Sequence, residues 1–346
     1  MSPTTMRVSS GRFDIRATSD KRSGPVNSEF QDERIRNFMD VGICLPYMER
    51  DYGRDEILAW CAAADQGPFS SLSCGERITG YTLEMRTLLA AAAALTERVR
   101  IMPSLYVLPM HSPVWAAKEV ATLDVLSGGR VTLGVGVGGR QVDYQAVGSS
   151  FARRHQRMDE AVAQMREVWQ GKPSLDGADA VGPLPIQPGG PPIIAGVMGP
   201  KAMARAAAWA DGVYVFSMSG KASEIQQMFS LADRAWADAG RETPPRRIAG
   251  FWYSLADNGA AKLRAYVHQY LAVFGDAPAR AIAETMTCHE AGAVREAVDQ
   301  IDALGCDELI LSPASAGLEE IERLADLVGE RVPASGDLKA KKNKVE

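Results

Sequence analysis

The sequence has little with which to bind a metal or build a disulfide framework. Its five cysteines (Cys44, Cys61, Cys74, Cys288, Cys306) are odd in number, scattered and never spaced CxxC. That usage suits a reducing compartment and leads us to expect a cytoplasmic protein without structural zinc. The four histidines (His111, His155, His268, His289) have no metal-ligand spacing either. No apolar run approaches the roughly 20 residues that a membrane-spanning helix needs. Residues 1–37 also lack the apolar core of a signal peptide. Basic residues are not in excess: 38 Lys and Arg stand against 43 Asp and Glu, for a net charge of -5. That balance leaves no footprint for nucleic acid or an anionic membrane. No catalytic dyad stands out in the sequence.

What is present is a long chain with ample core: 346 residues, 46% hydrophobic and 23% charged. We expect residues 1–37, rich in Ser, Thr, Arg and Asp, to form a disordered extension. Met39, where the first strand begins, is then an alternative translation start. The tail from residue 333, with its KAKKNK run, is expected to be solvated and disordered.

Between the ends, apolar runs alternate with helical patterns. The expected strands are Phe38–Leu45, Phe69–Cys74, Val99–Leu108, Val131–Gly136, Pro192–Val197, Gly212–Phe216, Arg247–Leu255 and Glu308–Leu311. Continuous apolar runs of this length suit parallel strands buried on both faces. The expected helices include Thr82–Thr96 with a threonine cap and Val114–Leu126 ending at Gly128. Arg154–Trp169 carries an apolar stripe, and Glu319–Val328 closes the chain. Eight such units over residues 38–332 match a (β/α)₈ barrel, with a doubly wound sheet as the competitor. The Gly- and Pro-rich segment Gly171–Pro191 falls between the fourth helix and the fifth strand. We expect it to be a partly ordered loop over the barrel mouth.

In a barrel, ligand groups come from loops at the carboxyl ends of the strands. The fourth strand delivers Gly134, Gly136, Gly138 and Gly139, formally a GxGxxG with Asp159 twenty residues later. The dinucleotide reading requires that fingerprint to open a helix within the first βαβ unit. Here three units precede it, and Arg140–Ser150 delays the helix. Cofactor contact by a barrel loop and simple close packing remain as readings. After the fifth strand, Gly196, Met198 and Gly199 precede Pro200 and Lys201, a helix start suited to phosphate. Ser217, Ser219, Gly220 and Lys221 form a similar cluster after the sixth strand. Glu76, Arg77 and His111 are the candidate catalytic side chains. The competing reading makes Glu76 and Arg77 a surface pair and His111 a helix-start hydrogen bonder. Tyr144 is read either as a substrate contact or as an anchoring aromatic. Asp159 and Glu160 are expected to pair with Arg153, Arg154 or Arg157.

The order LDVLSGGRVTLGVGVGG, DYQAVG, FARRHQRMDEAV, PPIIAG and RAAAWADGVY resembles the bacterial luciferase-like superfamily of flavin- and deazaflavin-dependent oxidoreductases. The resemblance implies a (β/α)₈ barrel with a flavin over its mouth and the phosphate on Gly196–Gly199. It places Ser104, Gly136, Gly138 and Gly139 near the ring; Met198 lies on the phosphate segment, and Ser217, from the cluster after the sixth strand, is a candidate to complete the anion site. It implies either a two-component monooxygenase using reduced FMN from a separate flavin reductase, or hydride transfer with coenzyme F-420. A homodimer acting on a small organic substrate is expected. Two departures stand out. Many members carry a histidine where this chain has Arg77, and some keep an acid where it has Gly139. These departures argue against sugar-phosphate dehydrogenase activity and leave a non-catalytic flavin-binding barrel as an alternative. An unrelated barrel lyase using Lys201 or Lys221 as amine nucleophile is the last alternative.

Overall fold

Eight short apolar runs become eight parallel strands because each is buried on both faces, by barrel interior within and helices without. A computed structural model describes residues 39–330 of the chain; the expected disorder of residues 1–37 and of the tail lies outside them. In chain order the strands are β1 (Asp40–Cys44), β2 (Ser71–Cys74), β3 (Arg100–Pro103), β4 (Leu133–Val135), β5 (Ile193–Gly196), β6 (Gly212–Phe216), β7 (Arg246–Tyr253) and β8 (Glu308–Pro313). They pair in the order β3-β2-β1-β8-β7-β6-β5-β4, all parallel. Bridges Ile101–Val131 and Tyr106–Val135 join β3 to β4 and bring the sheet round into a nearly closed barrel. The fold is a (β/α)₈ barrel. Each expected strand is present, most of them shortened at their ends.

The helices are α1 (Arg54–Gln66), α2 (Met85–Leu95), α3 (Pro113–Ser127), α4 (Gln141–Ala146), α5 (Arg154–Trp169), α6 (Pro200–Ala206), α7 (Ala222–Asp238), α8 (Gly259–Leu271), α9 (Asp276–Ala283), α10 (Ala291–Asp302) and α11 (Leu318–Gly329). The expected stripe of α5 is its buried face: Met158, Ala161, Val162, Met165, Val168 and Trp169. Gly128 ends α3 in the left-handed conformation (φ 68°), a geometry that costs glycine nothing. The cap of α2 is Glu84 rather than a threonine: its carboxylate accepts from the amides of Arg86 and Thr87. Thr82 instead donates its hydroxyl to the carbonyl of Arg77, 3.0 Å away.

The SGGR turn after α3 has a structural purpose. Arg130 spends its guanidinium on the carbonyls of Ala93, Thr96, Val99 and Ser127 and on the Thr96 hydroxyl. It thereby clasps the end of α2, the start of β3 and the end of α3. A second clasp closes the amino end of the barrel. Glu308, fully buried on β8, accepts from the Ser70 and Ser71 hydroxyls at 2.7 Å each. It also pairs with Arg246 at 2.8 Å and Arg100 at 3.0 Å.

Residues 171–191 run along the amino end of the barrel, not over its mouth. Gln187 donates its backbone and side-chain N–H groups to buried Asp124 (3.0 and 2.7 Å) and its side chain to the carbonyl of Val131 (2.8 Å). Lys118 holds the carbonyl of Gly182, and Gly190 lies flat on Trp169. A loop that follows a helix and precedes a strand must arrive where the strand starts, so topology alone keeps it from the mouth. The mouth is instead approached by α8 and α9, two helices that precede α10 in the β7-to-β8 crossover.

Candidate functional site

The loops after β2 and β3 bring two of the candidate catalytic residues together. Glu76 Oε1 stands 2.8 Å from His111 Nε2, and its Oε2 accepts from the amide of Val107 at 2.7 Å. The Glu76 side chain is 3% exposed and that of His111 12%. Facing a carboxylate oxygen, Nε2 is the donor of this pair. The His111 ring packs edge-on against Tyr106, centroids 4.9 Å apart, and the Tyr106 hydroxyl donates to Glu119. Arg77 does not pair with Glu76. Its Nε donates to the carbonyl of Thr79 at 2.9 Å.

Where an uninterrupted loop is expected after β4, the chain forms α4. It supplies Asp143, which accepts from the amides of Ile78 and Thr79 and from the Thr79 hydroxyl, tying the β2 and β4 loops together. Arg140 joins the same cluster, 3.4 Å from Asp143 and 3.1 Å from the Thr79 hydroxyl. Tyr144 is buried with Val107 and Met110 and donates to the carbonyl of Val137 at 2.6 Å, an anchoring role.

The glycines of β4 and β5 face one side chain. A Cβ on Gly136 or Gly196 would collide with Leu105, and one on Gly134 would meet both Leu105 and the carbonyl of Pro103. Leu105 follows Ser104 across a cis peptide bond and lies half-buried. Gly138 (φ 59°) packs on Val107, and Gly139 faces Phe274 just after α8. Close packing therefore explains Gly134, Gly136 and Gly196 without a ligand.

Two helix starts that look alike in sequence differ in space. After β6, Glu224 of α7 takes the hydroxyls of Ser217 and Ser219 and the amides of Met218 and Ser219. That anion site is already filled by the protein's own carboxylate. Ser217, fully buried, gives its hydroxyl to that carboxylate at 2.9 Å. After β5, no atom stands within 4 Å of where a Cβ on Gly199 would sit. Met198 is 67% exposed and Lys201 is open to solvent. Beside this turn, between α5, α6 and the outer face of β4 and β5, lies a shallow cleft lined in part by His155, Asp159, Val197 and Arg205. Burial and the charges of Arg154 and Arg205 lower the pKa of His155. Asp159 pairs with Arg205 and with the Trp209 indole, not with the arginines of its own helix. Glu160 does meet Arg153, at 3.8 Å.

An aromatic row completes the surroundings. Phe216 and Trp252 contact at 4.6 Å, Trp252 and Tyr270 at 5.1 Å, and Tyr270 and Tyr266 stack at 6.4 Å. Cys44, at the carboxyl end of β1, is no nucleophile at neutral pH: burial, partly offset by Ser73 and Ser312, pushes its thiol up to about 11. Among the described residues no cluster of His, Cys, Asp or Glu could hold a metal ion.

The family model described as luciferase-like monooxygenase matches residues 39–331. The chain belongs to this family. Luciferase-like proteins are flavin- or F-420-dependent oxidoreductases, and both kinds stand among its relatives. An uncharacterized protein of Mycobacterium tuberculosis is 31% identical over 175 residues, 49% of this chain and 61% of that protein. The 5,10-methylenetetrahydromethanopterin reductase of Archaeoglobus fulgidus is 30% identical over 164 residues, 45% of this chain and 47% of the reductase. The oxygenase component of the flavin-dependent trigonelline monooxygenase of Acinetobacter baylyi is 27% identical over 150 residues, 40% of this chain and 42% of that component. The chain thus spans about half the length of the curated relatives it matches. Among solved structures, a monooxygenase of Streptomyces bottropensis superposes with TM-score 0.68 and 24% identity, over 85% of this chain and 98% of that one. An F-420-dependent secondary alcohol dehydrogenase superposes with TM-score 0.70 and 18% identity, over 84% of this chain and 98% of that one. These two show the shared barrel.

Seen as a luciferase-like barrel, the two blocks that carried the resemblance are largely scaffold. The first holds Arg130 and the glycines that face Leu105. The second holds Arg205 and Trp209 on Asp159, and Asp211, which accepts from the amide of Ile193 at 2.8 Å. Sequence reasoning missed Leu105, α4 with Asp143, Arg140 and the α8–α9 pair. The 52 residues separating the expected seventh and eighth strands were the available signal, being too many for one helix and two turns.

Proposed function

We propose that this chain is the oxygenase half of a two-component flavin monooxygenase, taking reduced FMN from a separate reductase and oxidising a small organic substrate with O₂. The carrying observation is the contrast between the two helix starts. The β6–α7 turn is occupied by Glu224, whereas at the β5–α6 turn nothing among the described residues, chain neighbours aside, stands within 4 Å of where a Cβ on Gly199 would sit. A phosphate-bearing cofactor fits the second turn: the segment Gly196–Gly199, with Met198, would hold the phosphate and Lys201 would add positive charge. Ser104 and Leu105, backed by Gly136, would support the ring, with Gly138 and Gly139 at its edge.

Bound reduced flavin supplies the electrons that activate oxygen, chemistry that belongs to the cofactor. The protein's part is to position, shield and handle protons. Glu76 orients His111 so that Nδ1 can accept or return a proton, which replaces the imidazole that many relatives carry at the Arg77 position. The α8–α9 pair, with Tyr270 and Phe274, would exclude water from the mouth. The loop at 171–191 has no share in this.

A second reading is favoured by the likeness to F-420-dependent proteins: hydride transfer with the deazaflavin, without oxygen. Titrating the full-length protein with FMN, reduced FMN and coenzyme F-420 while following tryptophan fluorescence tests both. Tighter binding of FMN, with oxygen uptake when a flavin reductase and NADH are added, supports the oxygenase. Tighter binding of F-420 overturns it. Flavin retention without oxygen uptake across a broad substrate panel would make the chain a flavin-binding barrel only. A homodimer and a cytoplasmic location complete the proposal.

A further inference from the structure

Two arginines from different loops converge on one residue. Arg77 Nε donates to the carbonyl of Thr79 at 2.9 Å, and Arg140 Nη2 lies 3.1 Å from the hydroxyl of the same threonine. Gly139, the neighbour of Arg140, faces the ring of Phe274, four residues beyond Tyr270 at the end of the aromatic row. The positive charge is under-balanced. Arg140 has Asp143 at 3.4 Å, but Asp143 also serves three donors of Ile78 and Thr79. Arg77 has no carboxylate within ion-pair distance among the described residues, and both arginines are half-buried. Taking an unpaired guanidinium partly out of water costs free energy that an arriving anion recovers. A guanidinium is also the group that grips a carboxylate through two parallel N–H donors.

Building on the flavin reading of the mouth, we infer that the substrate is a planar carboxylate, its anion held by Arg77 with Arg140 behind it and its ring laid against the half-buried Tyr270. The carboxylate then fixes which end of the substrate points into the barrel. Neutral substrates of the same shape lose both the anchor and the orientation.

Calorimetric titration of the full-length protein with benzoate and with its neutral isostere benzamide tests this. Benzoate is expected to bind about tenfold or more tightly than benzamide, the difference one charge-assisted contact makes. Arg77→Gln should abolish that preference and Arg77→Lys should restore part of it; circular dichroism checks that each variant is folded. The comparison in the unmodified protein stands whatever the variants do. Equal affinity for the two probes overturns the inference, as does the absence of saturable benzoate binding at millimolar concentration. Displacement of benzoate by inorganic phosphate, or a preference that survives in folded Arg77→Gln, overturns it as well. FMN and F-420 are titrated separately, so failure of the flavin reading shows as absent cofactor binding while the benzoate preference is read by itself.

Discussion

Glu308 is one carboxylate with four donors around it: Ser70, Ser71, Arg100 and Arg246. Those donors come from β2, β3 and β7 and the turn before β2, so the residue ties together strands on different sides of the barrel. Removing its charge leaves two guanidiniums facing each other across the amino end. Glu308→Gln is therefore expected to lower the unfolding free energy by about 3 kcal/mol in urea denaturation. That is the low end for a broken buried pair, because both arginines are partly wetted. A change below the error of the fit would show that water satisfies the arginines. Leu105 illustrates the same scale at the opposite end. One aliphatic side chain explains three glycines, so a glycine pattern need not report a ligand.

At the scale of elements, α2 shows how a cap is chosen by reach rather than by residue type. Glu84 accepts from the amides of Arg86 and Thr87 and from the Arg86 guanidinium at 2.7 Å. Burial pushes its carboxyl pKa up, but these hydrogen bonds outweigh burial and hold it at about 2, against 4.5 when free. A folded-state pKa depressed in this way adds stability that is complete above about pH 4.5 and lost as the pH falls towards 2. The stability difference between the native protein and Glu84→Gln should therefore shrink steadily on acidification through that window, followed by thermal unfolding. A difference that stays constant from neutral pH to about pH 2 would remove Glu84 from the cap. The same carboxylate logic works inside the fold at α7, where Glu224 occupies an anion site that Ser217 and Ser219 advertise in sequence.

On the whole-molecule scale, the two ends of the barrel divide the work. The loop at 171–191 braces the amino end through Gln187 and Asp124. The α8–α9 pair stands at the carboxyl end, with Phe274 against Gly139. Excising residues 174–185 is expected to lower the midpoint of thermal unfolding while leaving the affinity for the proposed cofactor, FMN or F-420, within about twofold, since distant sites without shared partners act independently. A tenfold loss of cofactor binding would instead place the loop at the mouth.

By itself the sequence determined the eight strands, the barrel, the α5 stripe and the glycine stop of α3. Each follows from periodicity or from a backbone geometry that one residue type allows. It also carried the family, through the SGGR and RAAAWADG blocks, although those residues turn out to be clasps between helices and strands. Only the tertiary structure decided which polar groups meet. The Glu76–His111 pair spans 35 positions, the Arg77–Thr79–Arg140 cluster joins two loops, and Asp159 finds partners in Arg205 and Trp209 that no local pattern names. Local spacing decides what a segment becomes, because backbone geometry is local. Which charges share a site is settled by strand order, which brings distant loops to the same end of the barrel.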